Sequence, residues 1–102
     1  MLLCGSLKGT NITFNGGKVD ATTTGELVIS VWQTATTVLV KNDAQVSLTS
    51  TDKAAMHIVG ADAALQIDSG SLKLKSTATG TNSENAALKI SGGAKFKMNG
   101  GT

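Results

Sequence analysis

Proline, tyrosine and arginine are absent from this sequence of 102 residues, and cysteine, histidine and tryptophan occur once each. Each shortage excludes something. A single cysteine, Cys4, permits no internal disulfide and no cysteine-only metal site. Nine lysines scattered along the chain without one arginine are a poor nucleic-acid footprint, because basic residues cluster in such proteins and arginine reads base edges. One histidine and seven carboxylates leave little material for acid–base or nucleophilic catalysis. No apolar run approaches the ~18 residues of a membrane span. The formal charge of +2 implies no acidic partner and is read as a solvated surface.

What the chain does have is 14 Thr, 12 Ala, 12 Gly, 9 Ser and 6 Asn, about half of its residues. Such a bias accompanies disorder when apolar content is low and charge is high. Here 40% of residues are hydrophobic and only 16% are charged. Thr, Val and Ile favour strands, Gly and Asn favour tight turns, and the Ala-rich stretches are too short and interrupted for helices. These features predict an all-β fold of many short strands, in one domain at this length.

The apolar residues recur in a repeat. Val38–Leu48, His57–Ile67 and Leu88–Met98 align without gaps, each a strand, a turn of about four residues, an Ala and a second strand of alternating polarity. Ala44, Ala63 and Ala94 mark the phase, 19 and 31 residues apart. A second register joins Asn11–Gly17 to Ala64–Gly70 and Lys95–Gly101, and two of these copies run on into Lys18–Ala21 and Ser71–Lys75. Three strand types follow: a first (37–41, 55–59, 86–90), a second (11–14, 45–49, 64–68, 95–98) and a third (18–21, 71–75). Residues 26–31 form another strand of the first or second type.

Period-two alternation places Val46, Leu48, Leu65, Ile67, Phe96 and Met98 on one inner face, and Lys73, Lys75, Lys95 and Lys97 outside with Ser47 and Gln66. A unit of ~19–34 residues cannot bury its own apolar face, but stacked copies can. The expectation is a parallel β-helix, or β-solenoid, of about four coils spaced ~4.8 Å apart. The polar stretch 76–85 would loop into solvent. The competing fold is a small antiparallel sandwich, with Asn15-Gly16, Gly16-Gly17 and Ser69-Gly70 as hairpin turns. The turn chemistry recurs at one phase, which favours the solenoid. Neither end reads as a polar cap, so residues 1–102 are expected to be one solenoid segment of a longer repeat protein, stacking end to end on further coils or chains.

Few residues offer chemistry. Asp43 and Asp62 share a turn phase and would stack in adjacent coils, where two carboxylates could hold calcium; turn formation by each Asp is the stronger reading. Asn15, Asp68 and Asn99 form a second equivalent set, expected to hydrogen-bond along the stack. His57 is expected to be a partly buried structural residue. Trp32 is expected at a core or edge position, with stacking on a sugar ring as the alternative. The lysines Lys73, Lys75, Lys89, Lys95 and Lys97 could attract an anionic polysaccharide or teichoic acid, although guarding strand edges and solubility is the stronger reading. Met1–Gly5 carries a cysteine after leucine, as lipoprotein signals do, without the charged and apolar regions of a signal, so lipidation of Cys4 is not expected. Gly16-Gly17 and Gly92-Gly93 precede strands and form no phosphate loop. No catalytic, cofactor or metal residue is assigned.

The stretches 43–51, 72–80 and 87–101 resemble the pectate-lyase-like adhesive repeats of Gram-positive cell-surface proteins, and are similar in style to passenger repeats of autotransporter adhesins. The likeness covers most of residues 7–102 and has no diagnostic motif. It implies a right-handed parallel β-helix, export to the cell surface and a non-enzymatic role as adhesin or stalk, contacting surface polysaccharide or a host surface. No functional residue carries over, since the matching positions are core and turn positions. Two other classes stay open: a phage tail-spike or fibre segment, and a polysaccharide lyase. The lyase would need clustered aspartates for calcium and an Arg or Lys base, whereas here arginine is absent and the aspartates are dispersed.

Overall fold

A computed structural model describes residues 3–5, 11–24, 27–32, 34–78 and 86–102. These hold eleven strands and no helix: β1 (Leu3–Gly5), β2 (Asn11–Asn15), β3 (Lys18–Thr23), β4 (Ile29–Val31), β5 (Thr37–Lys41), β6 (Gln45–Ser50), β7 (Met56–Val59), β8 (Ala64–Ile67), β9 (Ser71–Ser76), β10 (Leu88–Ser91) and β11 (Lys95–Met98). They form three sheets, in the orders β1-β4-β7-β10, β2-β5-β8-β11 and β3-β6-β9, called here A, B and C. Every pairing is parallel and joins a strand to the one three places later. The structure is thus all-β, with parallel strands in stacked sheets, as a solenoid requires. The chain visits A, B and C in turn and then rises one level. Hairpins cannot produce this pattern, because they join consecutive antiparallel strands.

Partners lie 26 or 27 residues apart through most of the chain: Leu3 pairs with Ile29, Asn11 with Thr37, Lys18 with Gln45 and Gln45 with Ser71. The last level is longer. Met56 pairs with Leu88 and Ala64 with Lys95, so about five extra residues enter between β9 and β10. The expected loop 76–85 falls in this interval. Its first residue closes β9, Thr77 and Ala78 follow with Thr77 N–H bonded to Ser50 O at 3.0 Å, and 79–85 lie outside the described residues.

This topology corrects the strand grouping expected from the repeat. Residues 45–50 belong with 18–23 and 71–76 in sheet C, and 37–41 belong with 11–15, 64–67 and 95–98 in sheet B. The segment 38–48 is therefore displaced by one strand from 57–67 and 88–98. Its resemblance to them is local and real: Ala44, Ala63 and Ala94 each donate an N–H to the carbonyl three residues earlier, on Lys41, Gly60 and Ser91. Asn42 and Asp43 both have positive φ, as do Gly92 and Gly93. A turn closed by the same hydrogen bond serves two corners of the stack, B-to-C at 41–44 and A-to-B at 60–63 and 91–94. Four residues of turn do not encode which corner they make.

A second correction concerns register. The gapless alignment sets His57 against Leu88, but the sheet sets His57 against Lys89 and Met56 against Leu88. A slip of one residue exchanges the two faces of a strand, so burial decides it. Met56 and Ile58 are fully buried, and Leu88 and Ile90 pack on the same core.

The core lies between the three inner faces. Sheet A contributes Ile29, Val31, Met56 and Ile58, sheet B Val38, Val40, Leu65 and Ile67, and sheet C Val46 and Leu48. Val46, Leu48, Leu65 and Ile67 are buried as the alternation predicts. Phe96 and Met98 share that phase and align with Leu65 and Ile67, yet are 48% and 47% exposed. Strand β11 ends its sheet, and the described residues place no further strand over it.

Candidate functional site

The outer faces and corners are where chemistry could reside. The two aspartates expected to stack do not. Asp43 sits at the B-to-C corner, where the register places Gly16 and Ser69 at its level positions, and its N–H is bonded to Ser69 Oγ at 2.9 Å. Asp62 sits at the A-to-B corner and its carboxylate faces Lys95 Nζ at 3.5 Å, both side chains more than 70% exposed. Both residues have positive φ, which Asp tolerates better than most side chains. The phase error in 38–48 explains the miss. No group of three His, Cys, Asp or Glu side chains able to hold a metal occurs among the described residues.

The Asn/Asp set is partly assembled. Asn99 Nδ2 donates to Asp68 Oδ1 at 2.7 Å, joining adjacent levels, and Gln66 Nε2 donates to the same oxygen at 2.9 Å. These two bonds, from Gln66 first and Asn99 second, hold the Asp68 carboxyl below its ordinary value of 3.8, with smaller help from Lys97 and Lys41. Asn15 is not in contact with this pair, because a level carrying Lys41 and Asn42 lies between. Asn42 Nδ2 donates to Asn15 Oδ1 instead. Two separate rungs result, and in each the later level donates to the earlier one.

His57 is 8% exposed, as a structural histidine would be, and occupies one row across sheet A with Cys4, Ser30 and Lys89. Trp32 departs from expectation. It follows β4 immediately and is 54% exposed, outside the core. Alternation explains this: Ile29 and Val31 point inward, so the residue after Val31 points out.

The lysines expected on one face are dealt among three sheets, Lys89 to A, Lys95 and Lys97 to B, and Lys73 and Lys75 to C. Sheet C also carries Lys18, which the repeat places in the same strand type as Lys73 and Lys75 but which is not among those five lysines. Its register sets Lys18, Gln45 and Ser71 in one row, Asp20, Ser47 and Lys73 in the next, and Thr22, Thr49 and Lys75 in a third. Between the first two rows the outer face dips into an open depression of about 200 Å³. Lys18 and Lys73 stand at opposite corners of this depression, Asp20 and Ser71 at the other two, with Gln45 and Ser47 between them. Recognising the 27-residue offset between Val19-Asp20-Ala21 and Val46-Ser47-Leu48 would have found this grouping in the sequence.

In comparisons with protein-family models, with curated proteins and with solved structures, nothing matches this chain.

Proposed function

We propose that this chain is a segment of right-handed parallel β-helix of about four coils, with a structural or adhesive and non-enzymatic role at a bacterial cell surface or in a secreted protein. The observation that supports it most is the pairing of every strand with the one three places later. Each level is then one turn of a coil, and a parallel crossover between strands of one sheet is right-handed in nearly all proteins. Outward side chains stacked every ~4.8 Å form long regular faces, which suit contact with extended polymers such as surface polysaccharide. Exposed Phe96 and Met98 continue the inner columns of sheet B, which supports further coils or chains docking on β11.

The test is binding of the purified chain to a glycan array and to intact bacterial and host cells. The reading expects saturable retention on at least one polysaccharide or cell surface without turnover of the glycan. Cleavage of a bound polysaccharide would replace it with the lyase alternative.

A further inference from the structure

We propose that the depression on the outer face of sheet C is a binding site for a sulfated or phosphorylated glycan, with Lys18 and Lys73 as the paired anion contacts. The inference rests on the adhesive reading above and names its contact face and ligand chemistry.

Three features of the face argue for it. The first is its shape: about 200 Å³ of open space on an otherwise stacked sheet, of the order of one saccharide ring, bounded by side chains from three consecutive levels. The second is charge placement. Lys18 and Lys73 are exposed, and among the described residues neither is ion-paired. They are separated by two strand spacings and two residues along the strand, roughly 12 Å between Cα atoms. With Lys75 in the next row and Asp20 as the single acid, the face carries a local excess of two positive charges. The third is the donor set beside the lysines. Gln45, Ser47 and Ser71 present amide and hydroxyl groups suited to sugar hydroxyls.

An ammonium group acts as a point charge, which suits a tetrahedral oxyanion equally from any side. Two point charges set well apart fit a polymer bearing sulfate or phosphate esters on successive units. Sheet B also carries exposed lysines, Lys95 and Lys97, but Lys95 already faces Asp62.

The experiment measures affinity of the intact chain by titration calorimetry, with chemical-shift mapping, for dextran sulfate oligosaccharides, for a poly(glycerol phosphate) oligomer, for polyglutamate and for neutral dextran. The first two separate the sources of the oxyanion. K18Q/K73Q should weaken binding of at least one of them by more than about tenfold, since both charged contacts are lost. S47A/S71A keeps every charge and should still weaken it about threefold or more by removing two neutral hydrogen bonds. K95Q/K97Q should change it less than about threefold, as expected for loss of long-range attraction alone. The shifts should fall on β3, β6 and β9. Equal losses in K18Q/K73Q and K95Q/K97Q, unchanged binding in S47A/S71A, or equal affinity for polyglutamate would overturn the site and leave a diffuse basic surface. Wild-type binding to neutral dextran or another array glycan with K18Q/K73Q unaffected would overturn the site while leaving the adhesive reading intact. No binding to either oxyanion polymer would also overturn it, and the array and cell retention decide the broader reading separately.

Discussion

Leu65 and Phe96 are register partners on adjacent strands of sheet B, in the same alternation and facing the same way, yet one is fully buried and the other is 48% exposed. The contrast extends to whole levels. Strands β4 to β8 supply most of the core, with Ile29, Val31, Val38, Val40, Leu48, Met56, Ile58 and Leu65 each fully buried. In the last level, β10 is half-buried throughout and β11 is exposed throughout. A stack of parallel strands buries a residue through what lies above and below it as much as through the face it points to. The difference teaches that sequence pattern fixes orientation, whereas position in the stack fixes burial.

The sharpest way to break this contrast is at the corners. An added Cβ on Gly70 would lie 2.1 Å from Ala44 O in the level below, and φ there is +89°. On Gly17, with φ +75°, a Cβ would meet nothing within 4 Å. Gly70→Ala should cost upwards of about 4 kcal/mol, because backbone must move and an L-residue must adopt a left-handed conformation. Gly17→Ala should cost only the conformational part, ~1–2 kcal/mol. Urea melts of the two variants measure the difference, and equal costs would deny the close approach of levels.

The core pair comes next. Leu65→Ala should cost ~2–5 kcal/mol through lost burial and the cavity left behind. Phe96→Ala should cost about 1 kcal/mol, although phenylalanine is the larger side chain, because nearly half of it stays in water. If a second copy covers β11, the Phe96→Ala cost should become concentration-dependent, which sharpens the comparison.

The smallest effect concerns Asp68. Its folded carboxyl titrates below its ordinary value, held there by Gln66 and Asn99. Bonds favouring the ionised form stabilise the fold fully above the unfolded carboxyl range. That contribution is lost as pH falls through the depressed folded value, so the window lies below about pH 3.8. Asn99→Ala should lower the neutral-pH melt slightly, and the gap to the parent chain should close as pH falls below that value, giving a flatter acid limb. An unchanged acid limb would show that the bond between levels does not persist in solution.

Much of this fold is legible in the sequence, for a physical reason. Alternation at Val46-Ser47-Leu48 and Leu65-Gln66-Ile67 gave strands and inward faces, because period two is a property of any strand. The placement of those strands in the stack was less legible. Lys41–Ala44 and Ser91–Ala94 share a hydrogen bond and positive φ at both central residues, so a local match put β6 in the wrong sheet. The depression on sheet C inherited that error, since it exists only when Lys18, Gln45 and Ser71 are placed in one row. Trp32, expected at a core or edge position, lies outside the core for a different reason: its parity after Val31 points it outward.

The central claim is that strands pair in parallel with the strand three places later, and cysteine pairs test it directly. In a Cys4→Ser background, Thr49→Cys with Lys75→Cys joins register partners of β6 and β9, within the ~4.4–6.8 Å Cα separation a disulfide requires. Ser47→Cys with Gln66→Cys joins the positions that the displaced repeat alignment would pair. Under mild oxidation the first pair should close to an intramolecular disulfide and the second should remain reduced. Closure of the second pair with the first left open would contradict the architecture.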